Sequence, residues 1–314
     1  MITVTGSLAF DNIMNYPGRF ADHIMPDKIH QINLSFLVTT LKKQRGGTAG
    51  NIAYNLALLQ NPVSIVGMAG TDFSKYAKFL QDSGVDISNI QTAKDNLTSS
   101  AFIMTDSSDN QIAAFYPGAM KHANLLSLKR IKTDFVVISP NNPQAMIRFC
   151  RECQTLKIPY MLDPGMQLPA LNANDLKSML NCAAVLIGND YEIALLKEKL
   201  SLSEKQLLDQ VEILITTLGE KGSLIQTKEK NLQVGSGKIT QVVDPTGAGD
   251  AYRAGFLTGL SKGLDLQICG QMGSIASCYA IEKYGTTSHT FSLEEFKERY
   301  KENFGETLEL SSNA

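Results

Sequence analysis

The sequence predicts an α/β fold: a doubly wound, mostly parallel sheet flanked by helices, with a small β-sheet lid beside it. Short apolar, β-branched runs alternate with longer segments of helical period along most of the chain, as strands fed by crossover helices do. Two segments, 11–45 and 97–117, break that rhythm, and the chain becomes helical from 248 onward.

Taken in order, the first strand spans 2–10, where Thr and Ser alternate with apolar residues. No positive stretch precedes an apolar core there, so a strand is expected in place of a secretion signal. Segment 11–45 is polar and aromatic without helical period and is read as strand leaving the main sheet. A helix at 51–59, a strand at 63–68 and a helix at 74–83 follow. Segment 97–117 carries two strands, 101–105 and 111–116, around a turn at 106–110 rich in Ser and Asp, as hairpin turns are. The alternation then resumes with strands at 135–139, 160–163, 184–188 and 213–217 and helices at 143–157 and 175–181.

A further hairpin within 223–243, with strands at 224–227 and 232–234, falls too late for the lid. Helices at 248–262, 266–283 and 292–300 close the chain, the last opened by Ser292 and Glu295 as a capping box. The tail, 306–314, has weak signals and is expected to fray. The expected organisation is a large domain of 1–10, 46–96 and 121–314 with a lid of 11–45 and 97–120.

A chain of 314 residues suits one large domain with an appendage better than two equal ones. With 43% hydrophobic residues, 19% charged residues and a net charge of -2, it advertises neither disorder nor a basic surface for nucleic acid. No apolar run approaches the roughly 20 residues that span a bilayer. A cytoplasmic protein with no nucleic-acid or membrane partner is expected. The five cysteines are an odd, scattered set, so reduced thiols are expected. Cys150 and Cys153 form a CxxC pair with no second half-site, which favours packing filler over metal or redox chemistry.

The strongest local signal is Asp244-Pro245-Thr246-Gly247-Ala248-Gly249-Asp250-Ala251. Val242 and Val243 read as a strand end, Gly247 and Gly249 permit a tight turn, and a helix opens after them. A turn nearly free of side chains at a helix N-terminus leaves N–H groups of Gly247, Ala248 and Gly249 facing outward, where an anion can bind. Asp250 then falls in the first helical turn, aimed at the same place. A carboxylate beside an anion site suits phosphoryl transfer, taking the proton of an attacking hydroxyl while the amides stabilise charge. The bland reading makes Asp250 a helix-stabilising acid. A second signal is Gly46-Gly47-Thr48-Ala49-Gly50-Asn51, running into a helix. Its glycines allow close backbone approach to a ligand and Asn51 offers donors and acceptors to sugar hydroxyls, with a plain capped loop as the alternative. Gly235-Ser236-Gly237-Lys238 lacks the earlier glycine and following Ser or Thr of a Walker A loop, and no complete GxGxxG follows a strand.

Together these residues resemble the ribokinase-like, or PfkB, carbohydrate kinases, a family that includes adenosine kinase. The GG-x-x-x-N element matches at Gly46, Gly47 and Asn51, and D-x-x-G-A-G-D at Asp244, Gly247, Ala248, Gly249 and Asp250. The resemblance covers nearly the whole chain and implies a ribokinase-like fold with a lid over the acceptor. It implies that Asp11 binds substrate hydroxyls, that Asn189 and Glu192 (N-x-x-E) organise Mg2+ and phosphates, and that Thr217, Gly219 and Gly222 lie over the ATP phosphates. It also places a monovalent cation, K+, near Asp244 and Thr246. Glu192 alone also reads as an ordinary solvated helix residue.

For the acceptor, the stretches 16–20 and 115–120 look like the nucleoside-kinase branch. Phe36, Phe115 and Met120 either sandwich a purine or form the lid's own core. The expected activity is ATP-dependent phosphorylation of a nucleoside 5′-hydroxyl, adenosine first, by a monomer or homodimer. Asp250 is the expected base, Asp11, Gly46, Gly47, Asn51 and Phe115 line the acceptor site, and Gly249 joins the ATP loop. The alternatives are a sugar kinase for ribose, fructose or a relative, and a non-catalytic small-molecule sensor.

Overall fold

The structure is a computed structural model that describes residues 1–24, 31, 33–108 and 110–310. Parts of the expected lid segment (25–30 and 32), Asp109 of the expected lid turn and 311–314 of the expected fraying tail lie outside the described residues.

The chain opens with β1 (Ile2–Thr5), β2 (Ala9–Asn15) and β3 (Thr40–Gly46), then α1 (Thr48–Leu58), β4 (Val63–Ala69), α2 (Ser74–Asp82) and β5 (Ile90–Thr92). A hairpin of β6 (Ser99–Thr105) and β7 (Gln111–Tyr116) follows. Next come β8 (Phe135–Ile138), α3 (Pro143–Leu156), β9 (Tyr160–Leu162), α4 (Ala173–Leu180), β10 (Val185–Asn189), α5 (Asp190–Leu200) and α6 (Glu204–Leu208). The C-terminal part holds β11 (Ile213–Thr217), β12 (Ser223–Gln226), β13 (Asn231–Val234), α7 (Ala248–Ser261), α8 (Leu266–Ile281) and α9 (Leu293–Phe304).

Among the described residues, nine strands form the main sheet in the order β13-β12-β11-β10-β9-β8-β1-β4-β5. From β11 to β5 every neighbouring pair is parallel, while β12 and β13 add an antiparallel edge. Parallel strands buried on both faces must feed two cores, and alternate residues do so. Val136, Ile138, Leu162, Leu186 and Leu214 face a core with α3, α4 and α5. Val4, Ile65, Val137, Val185 and Ile215 face the opposite core with α1, α2 and α7. A second sheet, β3-β2-β6-β7, stands apart from the first.

Several local expectations need correction. The strand read at 2–10 is two strands in different sheets, because the chain leaves β1 after Thr5 and re-enters as β2 at Ala9. Val242 and Val243 end no strand: they are exposed, and the amides of Val243 and Asp244 both turn back to the carbonyl of Ile281 at the end of α8. The tail does not fray as far as it is described, since Leu308 and Leu310 are buried against Phe296 and Tyr300 of α9. The capping box of Ser292 and Glu295 is present.

Helix α7 is held firmly. Gly255 lies so close to α8 that an added Cβ would come within 2.4 Å of the Met272 carbonyl, an approach only glycine permits. All five cysteines are unpaired, and burial pushes the Cys153 thiol up to about 12, as expected of packing residues. No helix among the described residues is long and apolar enough to cross a membrane.

Candidate active site

The site forms where the carboxyl ends of the central strands meet the first turns of α1 and α7. Gly247 precedes α7 at φ 84, a left-handed conformation that costs other residues about 1 kcal/mol or more. Its turn delivers Asp250 into the first helical turn, as the sequence predicts. Of the three expected anion-hole amides, Ala248 spends its N–H on the Pro245 carbonyl at 3.2 Å, so Gly247 and Gly249 remain as donors for an anion.

Asn51, in the first turn of α1, is 3% exposed, and its Nδ2 donates to Asp250 Oδ2 at 2.8 Å. Its Oδ1 accepts from Thr286 Oγ1 at 2.8 Å, so one N–H remains for a ligand. Gly47, at φ 88, begins α1 where a Cβ would strike the backbone of Ser7, Leu8 and Ala9. Gly46 is small for another reason: a Cβ there would come within 2.3 Å of Asp11 Oδ2. Asp11 and the glycine pair are thus one unit.

Burial pushes the Asp250 carboxyl above the usual range, Arg253 and the Asn51 amide pull it back, and Asp11 pushes it up again. Asp11 is pushed up to about 6 by burial, with help from the charge of Asp244. Beneath the glycine turn, Arg253 Nε pairs with Asp163 Oδ2 at 2.7 Å, both side chains buried. The guanidinium fills the space an added Cβ on Gly249 would need. Burial raises Asp163 to about 6 despite Arg253, and its Oδ1 has no hydrogen-bond partner among the described residues.

Thr217, Gly219, Gly222 and Gly249 line one cavity of about 290 Å³ between the end of β11 and helices α7 and α8. Asn189 pairs in register with Thr217 on the next strand. Asn189 and Glu192 form a reciprocal capping box at the start of α5, each accepting the other's backbone N–H at 2.8 Å. Glu192 nevertheless sits close enough to act on Asp163 and Arg253. Asp244 Oδ1 accepts from Thr246 N and its Oδ2 from Gly285 N, both at 3.0 Å, tying the signature loop to the loop after α8.

In the small sheet, Gln44, Asp11, Ala101 and Phe115 occupy one row across β3, β2, β6 and β7 and share a face. Phe115 is 48% exposed on that face. Phe36 instead packs with Tyr16 and Phe20 at ring distances of 4.9 and 5.2 Å, and Met120 is buried. Sequence reasoning missed Asp163, Arg253 and Thr286. Arg253 lay inside the signature helix as a signal, whereas Thr286 belongs to no motif.

Residues 5–292 match the model of the pfkB family carbohydrate kinases. The chain belongs to the pfkB family. Over 300 residues this pfkB kinase is 31% identical to the nucleoside kinase of Methanocaldococcus jannaschii, covering 95% of this chain and 96% of that protein. It is 26% identical to the ribokinase of Bacillus subtilis over 296 residues, covering 90% and 94% of the two. The structure of Burkholderia thailandensis nucleoside kinase in complex with inosine superposes with a TM-score of 0.89 at 33% identity, covering 98% of this chain and 99% of that one. The chain is a phosphotransferase with the ribokinase-like fold, a mostly parallel main sheet and a separate small sheet.

Proposed function

We propose that this pfkB kinase transfers the γ-phosphoryl group of ATP to the 5′-hydroxyl of a purine nucleoside, adenosine first. The observation that supports the reading is the Asn51–Asp250 hydrogen bond, which ties a carboxylate in the first turn of α7, just after the Gly247–Gly249 turn, to the first turn of α1. Asp250 takes the proton of the 5′-hydroxyl as its oxygen bonds to the γ-phosphorus. The bond from that phosphorus to the bridging oxygen breaks, and ADP leaves. The amides receive the charge that develops on the transferred group.

Asp11 binds the ribose hydroxyls, with Gly46 and Gly47 keeping the backbone close. Phe115, on the same face of the small sheet, offers a flat apolar surface to a base. The small sheet serves as the lid that excludes competing water. ATP lies in the cavity lined by Thr217, Gly219, Gly222 and Gly249, beside Asn189. The unpartnered, buried Asp163 Oδ1 and the nearby carboxylate of Glu192 fit Mg2+, which they would hold through water while it neutralises phosphate charge. The Asp244 carboxylate keeps lone pairs beyond its two backbone bonds and, with Thr246, fits K+.

Likeness to nucleoside kinases of Methanocaldococcus and Burkholderia, the latter also seen with ADP and inosine, supports the acceptor class. The test is ADP release with adenosine, inosine, cytidine, ribose and fructose. Turnover with adenosine or inosine at kcat/KM at least about tenfold above the free sugars is expected. A preference for ribose or fructose would make it a sugar kinase, and silence with every acceptor would favour a sensor.

A further inference from the structure

Thr286 lies in the loop between α8 and α9 and is 3% exposed. Its hydroxyl is 2.8 Å from Asn51 Oδ1 and 2.9 Å from the backbone carbonyl of Arg45 at the end of β3. Its β-carbon and methyl press on Gly247, where an added Cβ would approach both to 3.0 Å. One side chain therefore touches the turn that opens α7, the amide that holds Asp250 and a strand of the small sheet. Its neighbours reinforce the junction: Gly285 N donates to Asp244 Oδ2 at 3.0 Å, and Thr287 Oγ1 accepts from Arg45 Nε at 3.3 Å.

A hydroxyl has one proton, and here two acceptors compete for it. An ionised Asp250 can only accept, so Asn51 must point Nδ2 at it, which leaves Oδ1 facing Thr286. If the Thr286 proton goes wholly to Arg45, Asn51 Oδ1 is buried without a donor and the bond to Asp250 alone resists the amide turning over. A turned amide would set its oxygen against the carboxylate. We propose that Thr286 is a positioning residue: its hydroxyl fixes the orientation of the Asn51 amide and thereby Asp250, and by sharing its proton with Arg45 it makes that orientation sensitive to where the small sheet lies. The inference rests on the reading of Asp250 as the base.

The test compares Thr286→Val, which removes the hydroxyl and keeps the shape, with Thr286→Ser, which keeps the hydroxyl and removes the methyl. Both are assayed in the full chain with ATP and adenosine, alongside thermal unfolding. Thr286→Val should lower kcat about tenfold or more, the effect of stranding a buried acceptor, with KM for ATP within about twofold of wild type. Thr286→Ser should recover most of kcat. In an Asn51→Leu background, Thr286→Val should change kcat by less than about twofold, because the pathway is already cut. Should Thr286→Val not fold, Thr286→Ala against Thr286→Ser gives the same comparison. Wild-type kcat in Thr286→Val, equal losses in Thr286→Val and Thr286→Ser, or additive effects with Asn51→Leu would each overturn the proposal. Turnover retained in Asp250→Asn would refute the base reading itself. An inactive Asp250→Asn beside a full-rate Thr286→Val would overturn only the role of Thr286.

Discussion

Asn51 donates to Asp250 across 2.8 Å, joining the first turns of two helices 199 positions apart. Burial drives the Asp250 carboxyl toward its neutral form, and this bond, with Arg253, keeps it ionisable. Asn51→Leu removes a donor to the charged form, so the pKa of Asp250 rises further and its carboxylate is protonated at higher pH. The acidic limb of the kcat/KM profile should move upward, with kcat near neutrality down about 10- to 100-fold, as loss of a charge-assisted bond implies. An unmoved limb would remove Asn51 from the mechanism.

Asp11 is raised from 3.8 to about 6, first by burial and then by the charge of Asp244. A carboxyl whose folded-state pKa exceeds its unfolded value binds protons more tightly when folded, so its contribution to stability is lost as pH rises from 3.8 through about 6. Asp11→Asn escapes that loss. It should match wild type below pH 4 and be more stable by about 1–2 kcal/mol at pH 7, after discount for partial solvent access, while KM for nucleoside rises. Denaturant unfolding at the two pH values reads the difference. A destabilised Asp11→Asn at pH 7 would mean that the carboxylate is a structural anchor.

Phe115 and Phe36 have opposite surroundings, one open on the Asp11 face and the other packed against Tyr16 and Phe20. Phe115→Ala should raise KM for nucleoside about tenfold or more with Tm nearly unchanged, since base stacking is worth about 1–3 kcal/mol. Phe36→Ala should instead lower stability by about 2 kcal/mol. Exchange of those two phenotypes would reverse the assignment.

The two signatures were readable because each is a backbone device: glycines where side chains cannot fit, followed by a polar residue in a first helical turn. Gly247 and Gly47 both have the positive φ that such a turn demands. The parallel sheet was readable from strand-length apolar runs. The split of 2–10 was not, because Gly6, Ser7 and Leu8 continue an alternating pattern while the chain changes sheets. Nor could period alone show that Val243 and Asp244 are tethered to Ile281, or that Leu308 and Leu310 dock on α9. Arg253 and Asp163 are far apart in sequence, and only the fold makes them a pair. Phe36 and Phe115 are both aromatic residues in the expected lid, and only the fold shows one packed on Tyr16 and Phe20 and the other on the Asp11 face of a strand.

Glu192 can be both a cap and a carboxylate for Mg2+, and Glu192→Gln separates the two. Glutamine preserves the capping box with Asn189, so Tm should hold within about 2 °C. Loss of the charge should raise the Mg2+ concentration giving half-maximal rate by about tenfold. An unchanged Mg2+ dependence would leave Glu192 as a cap alone.

Asp250→Asn tests Asp250 as the base in place, because an asparagine oxygen can still accept from Asn51. Single-turnover transfer from ATP to adenosine, measured beside ATP binding by calorimetry, should slow by at least about a thousandfold while the affinity for ATP stays within about threefold. Transfer within about tenfold of the wild-type rate would exclude Asp250 as the base.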